Sequence, residues 1–350
     1  MLLDFDVTVV SFMPGSNGSK KDEQRNIIYL KTNRFISFFY FKLDFILANV
    51  FKRIRPKSEY GHLYYTKYLP SLLKSLIKKK KLDADLIIAV DFPALKVAQN
   101  IFGAVHFISL EIENNTNPIH QKIDRKKVKS VFIQSKERYD YLFPGINLPV
   151  FYVQNAPIFD ESAIISYPRK DFIWSGSINP VLGVYECIDF FDKYPQFKLL
   201  IKGGEYRNTL QKIKGKYAHL IAEGRITIDQ EYLPAPSFLD FLSHFRIGFA
   251  LYSWKIVHAK FNYATAPSGK LFMNLAAGVP VIACNIPGFQ LVEEFNAGVL
   301  ITNYEPETIF NAVQKIESDY ESFQKGCYNA ARHFSFDKAV KPYIEYLLKD

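Results

Sequence analysis

The densest chemistry in this sequence lies at 266–301, APSGKLFMNLAAGVPVIACNIPGFQLVEEFNAGVLI. Ser268 can cap a helix beginning at Gly269, because an N-cap serine offers its oxygen to the first free backbone N–H groups. The opening turn then combines unbonded N–H groups, a glycine and Lys270. Backbone donors, the positive end of the helix dipole and one mobile lysine charge make an anion site. Gly278 closes the helix and Pro280 follows, as a C-terminal cap and stop should. The strand VPVIACN runs into Pro287-Gly288, a second turn where backbone can approach a ligand. An ordinary helix–strand unit with a solvated Lys270 fits the same residues. Two further turns bear on the choice: FIWSG ends at Gly176-Ser177, and FKLLIKGG ends at Gly203-Gly204. Glycine turns after strands, beside a lysine and a helix N-terminus, suit the phosphates of a nucleoside diphosphate.

Such turns need a parallel sheet to hold them. Short Val-, Ile- and Phe-rich runs alternate with helix-like segments along the whole chain, the pattern of βαβ units. The first series is DVTVV, NIIYL, DLIIAV, VHFISL, SVFIQS and PVFYV; the second is DFIWSG, FKLLIKGG, RITID, IGFALY, PVIACN and GVLIT. Helical patterns are read at 35–54, 68–81, 93–101, 136–142, 185–193, 238–245, 306–333 and 337–348. The expected fold is α/β, two doubly wound Rossmann-like domains facing a cleft at their strand C-terminal edges. The N-terminal domain covers 1–157, a polar linker 158–169, and the C-terminal domain 170–335. A last helix, 336–350, is expected to pack back on the N-terminal domain. The N-terminal domain opens on a run that reads as a second strand, so its opening βα unit is missing from the pattern.

Composition narrows the class. The chain has 350 residues, 48% hydrophobic and 23% charged, with a net charge of +9. That excludes disordered and fibrous chains. Cys187, Cys284 and Cys327 are too few and too scattered for a disulfide framework or a zinc site. Asp4 and Asp6 stand where a secretory signal would be basic, and no uncharged run is long enough to span a bilayer. A cytoplasmic protein is the reading. The charge is concentrated: 34–81 holds 12 Lys and Arg, 2 Asp and Glu, and 11 Phe and Tyr. Lys52, Arg53 and Arg55 follow an aromatic helical pattern, and Lys78, Lys79, Lys80 and Lys81 end another. A basic, aromatic amphipathic segment suits an anionic membrane face or an anionic acceptor. Buried phenylalanines with solubilising lysines are the plainer alternative. No nucleic-acid-binding pattern accompanies the charge.

On these residues the sequence resembles GT-B fold glycosyltransferases, in particular glycosyltransferase family 4. GKLFMNLAAGVPVIA is similar to the family's nucleotide-sugar-binding segment, and FIWSGSINPVLGVYECIDFF to the opening of its donor domain. FKLLIKGG and QLVEEFNAGVLI also fit; ADLIIAVDFPALKVA, VFIQSKERYDYL and VFYVQNAP match more loosely. The resemblance implies a retaining, metal-independent hexosyltransferase in cell-surface polysaccharide or glycan assembly. It implies a UDP- or GDP-linked sugar donor, no separate cofactor, and a carbohydrate or lipid-linked acceptor. It puts the diphosphate at Ser268, Gly269 and Lys270, with Gly176, Ser177 and Gly288 nearby. The base falls near Gly203, Gly204 and Tyr232. Glu111 is a candidate for orienting sugar or acceptor, and a solvated loop carboxylate in EIENN fits it equally well.

The sequence also departs from the family. Met273 stands where a Glu grips the ribose, and Thr265 where an acidic residue is usual. Leu110 replaces a His, and Pro180, Val181 and Leu182 occupy basic positions. A thioether cannot accept the hydrogen bonds a carboxylate does. His258 and Lys260 could reach phosphates, and Glu293 and Glu294 the sugar, though a solvated role suits each. The rival readings are a non-catalytic binding subunit of the same fold and a nucleotide-sugar epimerase.

Overall fold

The computed structural model describes residues 6–11, 27–30, 32, 35–40, 42–43, 63–112, 123–161, 169–257, 260–266 and 268–349. By contact the chain falls into two compact units. One is Met1–Val131 with Ile146–Val150, the other Phe132–Gly145 with Phe151–Asp350.

In the first unit β1 (Val9–Ser11) and β2 (Ile27–Tyr29) pair in parallel, Val9 opposite Ile27. A π-helical stretch at Tyr64–Tyr68 leads into α1 (Leu69–Lys80). Pro70 stands where the π-helical stretch passes into α1, at a position that lacks the N–H an unbroken helix would use. Leu69 and Leu73 bury one face of α1 against Leu30, Tyr64, Tyr68 and Val97. β3 (Ile88–Val90), α2 (Asp91–Phe102) and β4 (Val105–Ser109) form a βαβ unit with β3 parallel to β4. β5 (Val128–Ile133), α3 (Lys136–Leu142) and β6 (Val150–Tyr152) continue the series. The sheet order is β3-β4-β5-β6, and the boundary between the units runs through β5 and β6. β1 and β2 form a separate sheet. Among the described residues no strand joins the two sheets.

The second unit runs β7 (Lys170–Ser175), α4 (Val184–Lys193), β8 (Leu199–Lys202), α5 (Thr209–Lys216), α6 (Ala218–Ala222) and β9 (Ile226–Asp229). It continues through α7 (Ala235–Leu242), β10 (Phe245–Ala250), α8 (Trp254–Val257), α9 (Phe261–Thr265), α10 (Gly269–Ala276) and β11 (Val281–Cys284). α11 (Leu291–Glu294), β12 (Gly298–Ile301), α12 (Pro306–Ser318), α13 (Tyr320–Phe334) and α14 (Phe336–Leu347) complete it. Its six strands stand in the order β12-β11-β10-β7-β8-β9, every pair parallel. This is the doubly wound order, reversing between β7 and β10. Strands covered on both faces must be apolar throughout. Accordingly Ile173, Trp174, Ile201, Ile247, Phe249 and Ile282 are wholly buried. Much of the aromatic excess is here too: Phe172 meets Phe190, Phe191, Phe197 and Phe249.

All twelve apolar runs became strands. The single helix read at 306–333 is two, broken at Asp319, whose φ of −148° is extended. Of the linker, 162–168 lies outside the described residues. The chain before it is fastened: Ser335 Oγ accepts from Phe159 N–H, and Arg332 pairs with Glu161. Tyr343 of α14 packs against Phe132 and Phe151, and Tyr346 against Phe151. By contact these strand residues, inside the 1–157 span, belong to the second unit with the C-terminal helix.

Candidate functional site

The site is built where the strand order of the second unit reverses. After β7 the chain turns at Gly176, φ 130°, whose N–H donates to the Lys202 carbonyl at 3.0 Å. Gly203, φ 149°, follows β8, and a Cβ there would lie 1.8 Å from the Gly176 carbonyl oxygen. The two turns touch through bare backbone, which glycine alone permits. Ile178 N–H donates to the Gly204 carbonyl at 2.8 Å, carrying the contact one residue further. The chain then makes a 3-10 turn at Pro180–Leu182, where Asn179 Oδ1 accepts from Val181 N–H. Gly183, φ 74°, leans on Leu251, and Ser253 N–H donates to the Val181 carbonyl at 2.8 Å. The loops after β7 and β10 are thus tied together.

α10 points its N-terminus at this junction. Ser268 holds the N-cap position by backbone, its carbonyl accepting from Leu271 N–H at 2.9 Å. Its hydroxyl makes no capping bond, contrary to the sequence expectation. The N–H groups of Gly269 and Lys270 have no protein acceptor among the described residues, as expected of an uncapped first turn. Lys270 differs from expectation as well. It is neither solvated nor a mobile charge. Its Nζ donates to the Leu251 carbonyl at 2.6 Å and the Leu182 carbonyl at 3.0 Å. The ammonium also faces the rings of Trp174 at 5.2 Å and Tyr252 at 5.4 Å. Burial pushes its pKa down to about 8, against the opposing pull of Cys284, Cys187 and Glu186. A Cβ on Gly176 would sit 3.9 Å from Lys270 Cδ, so the lysine stem underlies the first glycine turn.

The other predicted residues divide. Gly204 and the exposed Ser177 border the joined turns. Tyr232, 86% exposed, stands in the loop between β9 and α7. Gly288 turns towards protein: a Cβ there would lie 2.9 Å from the Thr265 backbone, so its close approach is to the end of α9 and not to open space. Met273 packs with Phe238, Leu239, Phe241 and Ile173, an apolar neighbourhood that suits a thioether. From there it offers a ribose no hydrogen bond. Thr265 is buried, its hydroxyl donating to the Phe261 carbonyl at 2.8 Å. Lys260, Glu293 and Glu294 are exposed. His258, Lys52, Arg53 and Arg55 lie outside the described residues. Lys78, Lys79, Lys80 and Lys81 are exposed at the end of α1. Glu111, exposed after β4, belongs to the first unit; the main-chain N–H groups of Leu110 and Glu111 donate to Asp91 Oδ1 at 2.8 and 3.0 Å.

Sequence reasoning missed Asp91, which begins α2 with φ +59°. Aspartate is among the few side chains that tolerate this backbone, so its position straight after a strand was an available signal. It also missed a pair at the β8 and β9 ends: Lys202 Nζ and Asp229 Oδ2 are 2.5 Å apart, with side chains 4% and 29% exposed. Lys202 Nζ lies 5.1 Å from the Phe241 ring centroid. The pair with Lys202 lowers the Asp229 pKa. A lysine inside an apolar strand was the clue. Among the described residues no cluster of His, Cys, Asp or Glu could hold a metal ion.

No family model and no curated protein matches the sequence. Solved structures match its fold. The pneumococcal O-GlcNAc transferase GtfA, in complex with UDP and GlcNAc, is 13% identical with a TM-score of 0.57, covering 79% of this chain and 59% of its own. An α,α-trehalose-6-phosphate synthase from Burkholderia multivorans is 11% identical with a TM-score of 0.65, covering 93% and 86%. A trehalose-6-phosphate protein from E. coli, bound with UDP-2-fluoro glucose, is 10% identical with a TM-score of 0.65, covering 97% and 92%. The chain therefore shares the GT-B architecture of two Rossmann-like domains.

Proposed function

We propose that this chain is a glycosyltransferase that takes its sugar from a nucleotide-sugar donor. The observation that carries the reading is Lys270 beneath two joined glycine turns, at the head of α10, where the doubly wound sheet reverses. Ligands of such sheets bind outside the strand C-termini at that reversal. Free N–H groups at Gly269 and Lys270 and the helix dipole would receive the diphosphate. The Lys270 ammonium would neutralise the charge that grows on the leaving diphosphate. Fixed donors in a dry site do this without reorganisation at the moment of reaction. Tyr232 and the Gly203-Gly204 turn would border the base, and Glu111 would orient sugar or acceptor. The finer reading is a retaining hexosyl transfer from a UDP- or GDP-sugar to a carbohydrate or lipid-linked acceptor. Cell-surface glycan assembly on the inner membrane face is the setting it implies.

One observation favours a second reading. Met273 faces an apolar cluster, so that position gives the ribose no grip, as a subunit that binds nucleotide without turnover would permit. A panel of UDP- and GDP-sugars, followed for nucleoside diphosphate release with and without oligosaccharide acceptors, separates the two. Acceptor-dependent release supports the transferase. Binding without any release, across the panel, favours the subunit.

A further inference from the structure

The ends of β7, β8 and β9 are more polar than the fold requires. Ser175, Lys202 and Asp229 are successive register partners across these strands, at the C-terminal edge where such sheets bind ligands. Register partners point to one face. On that face Lys202 is buried, its ammonium 5.1 Å from the Phe241 ring centroid, and it donates to Asp229 Oδ2 at 2.5 Å. Ser175 is buried too, and its hydroxyl has no partner among the described residues. Stability does not account for the pair. A buried ammonium is costly to desolvate, and an apolar pair of similar volume would hold two strands as well.

Asp229 is the accessible member, on the edge strand and 29% exposed. An ionised carboxylate has about four acceptor positions. Lys202 takes one on Oδ2, and the Glu231 N–H takes one on Oδ1 at 2.8 Å. Among the described residues no other donor reaches either oxygen, so each keeps a place for one more. The hydrogen bond from Lys202 lowers the Asp229 pKa, so the group is an acceptor only at neutral pH. Its surroundings suit a flat ligand. Gly203 N–H donates to the Asp229 carbonyl at 2.9 Å, which ties the carboxylate to the joined glycine turns. A Cβ on Gly204 would meet nothing within 4 Å, so the turn opens onto space. Tyr232, three residues on, offers an exposed ring for stacking.

Two acceptor positions side by side select among the bases. Uracil presents one N–H between two carbonyls. Cytosine and adenine present an amino group beside a bare ring nitrogen. Each of these sets a lone pair against the carboxylate. Guanine presents two adjacent donors, N1–H and the 2-amino group. We infer that Asp229 reads the guanine edge of a guanosine diphosphate donor, with Lys202 as the positioning residue that fixes the carboxylate. This assignment rests on the nucleotide-sugar reading of the Lys270 site and adds the base to it.

The test is calorimetric titration of the full chain with the diphosphates of guanosine, inosine, xanthosine and uridine. Inosine lacks only the 2-amino group, and a lost charge-assisted hydrogen bond predicts at least about tenfold weaker binding than GDP. UDP should also bind more weakly than GDP. Asp229→Asn keeps an oxygen for Lys202 but adds an amide donor, so it should turn the preference towards xanthosine, whose C2 carbonyl accepts. Lys202→Met should shrink the ratio of GDP to inosine diphosphate affinity, a readout that a merely structural pair would not move. The comparison of GDP with inosine diphosphate uses the parent alone, so it decides the matter even where a variant fails to fold by circular dichroism. Equal binding of those two, tighter binding of UDP, or an unchanged base preference in folded Asp229→Asn overturns the assignment and leaves the diphosphate site standing. Binding of none of the four overturns the nucleotide-sugar reading itself, and the base with it.

Discussion

At the residue scale the central group is Lys270. Its place at the head of a glycine-rich helix start was legible, because a serine, a glycine and a lysine before an apolar helical run leave few other arrangements. Its inward turn was not, because that is decided by the carbonyls of Leu182 and Leu251, distant in sequence. The turn has consequences for pH. The unfolded lysine keeps its proton to about 10.5, and the folded one only to about 8. Between those values the unfolded chain binds more protons, so stability should rise with pH across that interval in urea titrations. Ligand phosphates favour the charged form, so diphosphate binding should take up a proton above about pH 8, and affinity should fall as pH rises through it. Calorimetry in buffers of different ionisation enthalpy would read that uptake directly. Lys202 and Asp229 give a second prediction. Asp229→Ala strands an almost fully buried ammonium, whereas Lys202→Met leaves a carboxylate that is 29% exposed and can be hydrated. The first should cost about 3–5 kcal/mol and the second clearly less, by urea denaturation.

At the scale of elements, strands were the most legible feature. Runs such as FIWSG and PVIACN must be buried on both faces, and nothing else in a chain of this composition reads so continuously apolar. Helix α5 was not singled out because its sequence is polar and carries Gly215, and α6 because five residues are too few to show a period. The break between α12 and α13 escaped because the period runs on across Asp319. Contacts between turns were invisible for a different reason: a glycine pair shows no sign of meeting until the sheet brings β7 and β8 side by side. The closeness of Gly203 to Gly176 can be checked by a matched pair. Gly203→Ala puts a Cβ onto a carbonyl oxygen and should lower stability by about 2 kcal/mol or more, through clash and backbone strain. Gly204→Ala meets nothing within 4 Å and should stay within about 1 kcal/mol of the parent. Similar losses in chemical denaturation for both would contradict the joined-turn geometry.

At the scale of the whole molecule, the chain divides into two compact units. The net charge says little about the phosphate site, since 34–81 holds 12 basic and 2 acidic residues and the remaining sequence is almost neutral. The second unit has the reversal in strand order, the joined turns and the helix start that together suit a nucleoside diphosphate. Hydrogen exchange should therefore show protection on adding UDP or GDP at 176–183, 203–205 and the first turn of α10, and none at 88–112. The most direct measurement is a calorimetric titration of UDP and GDP into the parent and Lys270→Ala, with folding of the variant verified by circular dichroism. A charge-assisted contact of about 1.5–3 kcal/mol predicts saturable binding of at least one nucleotide by the parent, weakened by about tenfold or more in the variant. Equal affinity in the two, or no binding to either, would contradict the account.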